Sequence, residues 1–329
     1  MIASQDQLPP YASIGEVTPY CDYRRRLGAK EYDSRQRAQK RLKQYKAPDL
    51  FSRLKMPLIA KWGLLLSGLH LLGKRNFLNI HTKHEVWEYQ ELPKGFDGFR
   101  ILQLSDLHID ILPQLAAKII EKVNSVEYDL LVLTGDYHDN VVSPLENCLK
   151  PLDSLLLHLQ KRNKPTIAIL GNHDAIEIAT LLEMRGVKVL LNEATSVERN
   201  GDTIWIAGVD DYHFFESYNI KRASQQIPEG SFKIILAHSP ATFKESAQEG
   251  FFLQLSGHTH GGQICLPNYK PIVRIIKSPR RVDQGRWKCR QLNGYTSRGT
   301  GGCGVAARFF CPPEITIHTL RVIKTQKNE

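Results

Sequence analysis

Five runs of large aliphatic and aromatic residues along this chain each stop at a small group of polar side chains. Residues 99–105 run into Asp106-Leu107-His108, and 129–134 into Gly135-Asp136. Residues 166–170 run into Gly171-Asn172-His173-Asp174, 232–237 into His238, and 251–256 into Gly257-His258-Thr259-His260-Gly261-Gly262. Short apolar runs that end in glycine or turn residues read as buried strands. Sites in open α/β sheets form beyond the carboxyl ends of the strands. Five strands that each deliver a side chain suited to a metal are therefore one pattern rather than five coincidences.

Between these runs the apolar spacing becomes helical. Leu115, Ile119, Ile120 and Val123 predict a helix over 112–126, and further helices are predicted over 149–159 and 176–184. Residues 84–92, 187–191 and 203–207 read as additional strands. To about residue 175 the order is strand, helix, strand, helix, strand, which predicts parallel pairing. From about residue 186 strands predominate and predict a second sheet. The expected fold class is α/β (α+β), with two packed mixed β-sheets flanked by helices and a metal site at the carboxyl ends of the strands.

The N-terminal quarter has a different texture. Residues 1–49 are polar and proline-punctuated and are expected to form a basic, solvated, partly helical arm. From Met56 to Gly73, Leu58, Ile59, Trp62, Leu65, Leu66, Leu69 and Leu72 recur at helical spacing and make one apolar face. Lys61 and His70 interrupt the run, so it falls short of the roughly 18–20 apolar residues of a membrane span. Arg53, Lys55, Lys74 and Arg75 flank it. The expected organisation is an arm over 1–49, an amphipathic helix and linker over 50–83, and a catalytic domain over 84–329.

Charge sharpens this division. Residues 24–75 carry 15 Lys/Arg against 3 Asp/Glu, whereas the body beyond residue 75 is nearly neutral, so the net charge of +10 belongs to the N-terminal region. A basic amphipathic helix beside a polybasic arm suits an anionic membrane surface. The alternative is a helix packed on the catalytic domain, and the two are compatible. Nucleic acid is the weaker partner, because only Tyr32 and Tyr45 interleave the charges between Arg24 and Lys46 and no stacking platform is evident. The six cysteines include no Cys-x-x-Cys pair, and a chain this long needs no disulfides, so reduced thiols in a cytoplasmic protein are expected. The first residues lack the basic and apolar regions of a signal peptide.

Asp106, His108, Asp136, Asn172, His238, His258 and His260 form a set of hard oxygen donors and imidazoles. Such a set suits Mn, Fe or Zn. Seven side chains exceed what one catalytic ion needs, but two ions sharing a carboxylate use about this number. Two ions roughly 3.5–4 Å apart clamp a phosphoryl group and supply a nucleophile at neutral pH. His173, beside a ligand but not needed as one, is a candidate to protonate the leaving oxygen. Asp174 is a candidate to orient it by accepting its other ring N–H. Singly, each has an ordinary alternative: Asp106 a helix cap, Asn172 a turn, His238 a strand end. All seven in order at strand ends leave little room for that.

Asp106-x-His108, Gly135-Asp136, Gly171-Asn172-His173-Asp174, His238 and Gly257-His258-x-His260 resemble the motifs of the calcineurin-like metallophosphoesterases. The resemblance spans roughly residues 84–320. It implies a calcineurin-like four-layer sandwich. It also implies one metal on Asp106, His108, Asp136 and His260, and a second on Asp136, Asn172, His238 and His258, with Mn²⁺ the first expectation and His173 catalytic. Ala207-Gly208-Val209-Asp210-Asp211, residues 260–267 and Ser297-Arg298-Gly299 are similar to the YkuE/YaeI-like branch. There Arg298 is a candidate phosphate contact or a structural loop arginine. His138 departs from that branch, which usually has an apolar residue at this place, and is a candidate substrate contact or a solvent-facing side chain.

Length and basic arm together resemble the UDP-2,3-diacylglucosamine pyrophosphatases of lipid A synthesis. That likeness implies release of UMP from a nucleotide-linked lipid at the inner face of the bacterial inner membrane. No long insertion forms a lid, so the 56–73 helix and the aromatic stretch from Tyr212 to Tyr218 are the candidate acyl grooves. The other readings are a metallophosphoesterase for a different phosphoester or pyrophosphate, a nuclease, and a scaffold without metals. The scaffold reading predicts a gap in the ligand set, and none is visible.

Overall fold

The computed structural model describes residues 22–44, 62–139, 143–274 and 278–323. The first twenty residues and the 56–61 portion of the expected amphipathic helix lie outside these.

Among the described residues, twelve strands form two six-stranded sheets. The first has the order β1 (His81–Tyr89), β12 (Glu314–Val322), β2 (Arg100–Leu104), β3 (Leu130–Leu133), β4 (Thr166–Ala168), β5 (Lys188–Val189). The second has the order β10 (Gly285–Cys289), β11 (Leu292–Thr296), β9 (Leu253–Ser256), β8 (Lys233–Leu236), β7 (Asp202–Gly208), β6 (Glu193–Arg199). Both are mixed: β2, β3, β4 and β5 pair in parallel, as do β7, β8, β9 and β11, while β12 runs antiparallel to β2. The second sheet does not take every strand from about residue 186 onward, as expected. The short β5 joins the first sheet, and the C-terminal β12 returns to sit between β1 and β2.

Alternation along each strand builds the layers. Ile101, Leu130 and Val132 face Ile206, Ile234 and Leu255 between the sheets. Leu102, Leu104, Leu131 and Leu133 point the other way, onto α4 (Leu115–Asn124), α5 (Glu146–Lys161) and α6 (Glu177–Met184) through Ile119, Leu155 and Leu182. Ala207 and Ile235 cover the far face of the second sheet with α7 (Ile220–Ser224) and α8 (Phe243–Gln248). The result is the expected helix–sheet–sheet–helix sandwich.

The basic segment is less solvated than its sequence suggests. Residues 22–44 form α1 (Tyr23–Leu27) and α2 (Ala29–Gln44), and Leu27 belongs to the core. Arg26 spans Glu183 on α6 and Glu193 on β6, at 2.6 and 3.0 Å. Arg35 is wholly buried. It donates to Asp210 Oδ1 at 2.5 Å and to the Asp174 carbonyl, and lies over the Phe215 ring. A buried guanidinium with a carboxylate partner fixes position strongly, because neither charge tolerates loss of the other.

The expected amphipathic helix is broken. Residues 62–66 are helical, residues 67–69 form a turn in which Gly68 takes φ +73°, and α3 (His70–Leu78) follows. Only Gly73 and Phe77 of α3 are fully packed on the body, and the leucine stripe faces outward. Among the described residues no helix is long and apolar enough to cross a membrane.

Candidate metal centre

The parallel strands β2, β3, β4, β8 and β9 end at one edge of the sandwich, and the chain turns sharply just beyond each. These turns place five of the seven candidate ligands in the left-handed region: Asp106 (φ +51°), His108 (+38°), Asp136 (+58°), His258 (+71°) and His260 (+52°). Non-glycine residues rarely adopt it, and each instance costs on the order of 1–3 kcal/mol. The interdigitated turns hold them there. A Cβ on Gly257 would lie 1.9 Å from Ser105 Oγ and 2.2 Å from Asp106 Oδ2, and one on Gly171 would lie 2.2 Å from Asp136 Oδ1. Those two positions accept only hydrogen.

The side chains converge in two buried groups that share Asp136. The ligand atoms of Asp106, His108, Asp136 and His260 lie within 4.8 Å of one another, and so do those of Asp136, His238 and His258. Asn172 Oδ1 completes the second group, 3.1 Å from His238 Nε2 and 2.6 Å from His258 Nδ1. Backbone carbonyls set two of the imidazole tautomers. His108 Nδ1 donates to the His138 carbonyl at 3.0 Å, and His238 Nδ1 donates to the Thr134 carbonyl at 2.7 Å. Each therefore presents Nε2 to the centre, as metal-binding histidines do.

Four buried atoms in the cluster have no hydrogen-bond partner among the described residues: Asp106 Oδ2, His108 Nε2, His258 Nε2 and His260 Nδ1. Buried polar atoms are normally satisfied. An oxygen–imidazole shell with four open acceptor positions fits divalent cations, and the shared carboxylate fits two of them. Electrostatics agree. Burial pushes His108 down to about 3 and holds His258 and His260 well below the usual imidazole range, so these rings are neutral, the ligating form. Burial opposes the charge on Asp136, but the facing His238 and His173 outweigh it and hold the carboxyl well below its ordinary range.

His173 stands at the edge of the cluster, its ring 5.0 Å from that of His108. Nδ1 donates to the Asp139 carbonyl at 2.5 Å. Burial disfavours its charge, but Asp136, Cys303 and Asp139 prevail and raise it well above the usual imidazole range.

Three further side chains named from the sequence can be placed. Asp174 does not touch the His173 ring. Its carboxylate accepts backbone N–H groups from Asp136 (2.8 Å), Gly171 (2.7 Å) and Tyr137 (2.8 Å), clasping the two turns that carry the ligands. His138 does not face solvent. Its ring is buried against Ser143 (2.7 Å) and Asp110 (3.4 Å), and its contribution to the centre is the carbonyl that orients His108. Arg298 is held by Glu314, with Nε donating at 2.6 Å, and Glu314 also receives the Tyr295 hydroxyl, contacts that suit the structural loop reading.

Two neighbours of the centre were not read as such from the sequence. Cys303 lies with His108 and His173, and its sequence signal was the surrounding run of Gly299, Gly301, Gly302 and Gly304. Gly301 needs that freedom, since a Cβ there would meet the Leu107 carbonyl at 2.0 Å. His213 stacks 4.7 Å from the His258 ring, at the tip of a loop whose N–H groups are gathered by Asp211. The aromatic stretch from 212 to 218 is thus next to the centre.

Fold and site together are those of a hydrolase arranged to hold two divalent cations at strand ends. The family described as calcineurin-like phosphoesterase matches residues 99–262. The uncharacterized metallophosphoesterase YkuE of Bacillus subtilis (strain 168) is 32% identical over 264 residues, covering 76% of this chain and 89% of that protein. YkoQ of the same organism, also an uncharacterized metallophosphoesterase, is 30% identical over 231 residues, covering 67% and 83%. Among solved structures, the NAD nucleotidase NadN of Haemophilus influenzae is similar over 61% of this chain and 45% of that chain, with a TM-score of 0.41 and 13% identity. The chain belongs to the calcineurin-like metallophosphoesterases.

Proposed function

We propose that this metallophosphoesterase hydrolyses the pyrophosphate of UDP-2,3-diacylglucosamine to UMP and 2,3-diacylglucosamine 1-phosphate, at the cytoplasmic face of the bacterial inner membrane, in lipid A synthesis. The observation that carries the reaction class is the single carboxylate of Asp136 common to both buried ligand groups. Asp106, His108, Asp136 and His260 would hold one cation, and Asp136, Asn172, His238 and His258 the other, with Mn²⁺ the first candidate and Fe or Zn the alternatives. Bound there, two such ions supply charge for the phosphoryl oxygens and acidify a water.

The chain's own residues do the rest. Water adds its oxygen to the phosphorus on the uridine side, and the bridging oxygen leaves with the sugar phosphate. His173, steadied through Nδ1 by the Asp139 carbonyl, would give that oxygen its proton. The lipid part of the reading is supported by the outward leucine stripe of residues 62–72, joined through Gly73 to the loop that carries Cys303 to the centre.

The test is single-turnover hydrolysis by metal-stripped protein with Mn²⁺ restored, comparing UDP-2,3-diacylglucosamine with bis(p-nitrophenyl) phosphate. Preference for the lipid, abolished in Asp136→Ala, is expected. Metal-dependent cleavage of the small diester alone would keep the chemistry and reject the substrate.

A further inference from the structure

The structure leaves an apolar surface that no part of the described chain covers. On residues 62–72 the side chains of Leu66 and Leu71 are 86% and 68% exposed. A second group stands on the loop after the His260 turn, where Ile272 is 62% exposed and Tyr269 is also outward, and Phe310 adds a third point. Backbone hydrogen bonds unite these segments. Arg308 N donates to the Gly73 carbonyl (3.2 Å), Cys265 N to the Phe309 carbonyl (3.0 Å), and Ile272 N to the Ile264 carbonyl (3.1 Å). Gly73 itself is pressed against Ala307 and Phe309, which brings α3 onto the same loop.

The charge on this surface has one sign. Residues 62–80, 263–274 and 303–311 contain no Asp or Glu, whereas Lys74, Arg75 and Lys270 are exposed among the apolar side chains. Soluble monomers seldom expose large contiguous apolar patches. Apolar side chains set among lysine and arginine, with acids excluded, match an anionic bilayer, whose headgroups attract each cation while the apolar groups enter the acyl boundary. A second copy of the chain would instead bring like charges together.

We propose that this composite face docks on an anionic membrane surface. In the basic helices α1 and α2, Arg26 and Arg35 are consumed internally. The inference deepens the lipid-substrate reading and rests on it for its purpose. The same two loops border the metal centre: Gly301 N donates to the Asp106 carbonyl at 3.0 Å, Gln263 donates to the Cys303 carbonyl, and Cys303 lies with His108 and His173. A bilayer against Phe310 and Ile272 would therefore lie beside the loops that border the metal centre, where a membrane-resident phospholipid-like substrate would be presented to it.

The experiment is flotation of the full chain with vesicles of phosphatidylcholine, with and without an equal part of phosphatidylglycerol. Two double variants are compared, Leu66→Ser/Leu71→Ser and Ile272→Ser/Phe310→Ser, together with Lys74→Glu/Arg75→Glu. The wild type is expected to float with the phosphatidylglycerol vesicles only. Each variant is expected to lose about tenfold or more of that partitioning, with Mn²⁺-dependent cleavage of bis(p-nitrophenyl) phosphate within twofold of wild type.

The proposal is overturned if the wild type does not float, or if the apolar variants float as well as it does. It is also overturned if sedimentation shows that they break a dimer instead. Flotation without turnover of the diacylated substrate would reject the substrate reading and leave the docking face standing. Turnover in detergent without flotation would do the reverse.

Discussion

Replacing Asp174 by asparagine keeps the side chain's shape and removes one acceptor. With its oxygen turned to Asp136 N and Gly171 N, the amide keeps two contacts at neutral strength and points its NH₂ at Tyr137 N–H, now 2.8 Å from another donor. An N–H buried without an acceptor costs about 1–3 kcal/mol, and loss of ionic character weakens the two remaining bonds by about 1 kcal/mol each. The amide no longer buries a charge, which offsets the weaker bonds, so the expected destabilisation is about 1–3 kcal/mol, set by the stranded N–H and still large against the usual 5–15 kcal/mol of a folded domain. It falls on the turns that hold Asp136 and Asn172, so metal retention should drop with it.

The measurement is urea unfolding at pH 8, above the value of about 6 to which burial raises this carboxyl, together with metal content after gel filtration. If Asp174 instead served His173, the variant would keep its stability and both metals and lose only kcat. That outcome would refute the clasp.

Three further outcomes follow from the same geometry. His173→Asn should lower kcat by about 10²–10⁴ while keeping the wild-type metal content; loss of metal alongside kcat would make His173 a ligand. His318 accepts from Trp87 Nε1 at 3.1 Å and faces Gln103 Oε1 at 3.0 Å, and burial, helped by Arg286, lowers it to about 3. The unfolded chain takes up that proton near pH 6.5 and the folded chain refuses it, so stability is lost as pH falls from about 6.5 toward 3, by about 2 kcal/mol at pH 5; His318→Gln should flatten this part of the profile. Arg35→Ala strands the Asp210 carboxylate and should cost about 3–5 kcal/mol by denaturant titration, whereas a change under 1 kcal/mol would mean that α2 is not anchored there.

The ligand set was legible because its signal is local: an apolar run, a glycine, a donor, repeated at five strand ends. The helices over 115–124, 146–161 and 177–184 were legible for the same reason, within a few residues at their ends. What stayed hidden depends on contacts between distant segments. Nothing near Glu314–Val322 says that this strand enters the first sheet between β1 and β2. The role of Asp174 is set by N–H groups 37 and 38 residues upstream, whereas proximity in sequence pointed to His173. Arg298 had two readings from the sequence, and the carboxylate that holds it, Glu314, lies 16 residues on. The break at Gly68 was inside a convincing helical period, which records side-chain spacing and not the backbone's left-handed turn.

The docking of α2 has a consequence for the order in which the molecule can assemble. Arg35 is separated from Asp210 by 175 residues. At synthesis rates of about 5–20 residues per second, α2 leaves the ribosome roughly 10–35 s before its counter-charge exists. During that interval the guanidinium destined for complete burial must remain hydrated, and the β4 and β7 ends that it ties together are not yet joined. The earliest helices made are thus among the last to be locked. A fragment cut to the family match alone, residues 99–262, would retain the buried Asp210 carboxylate and lack the cation that neutralises it.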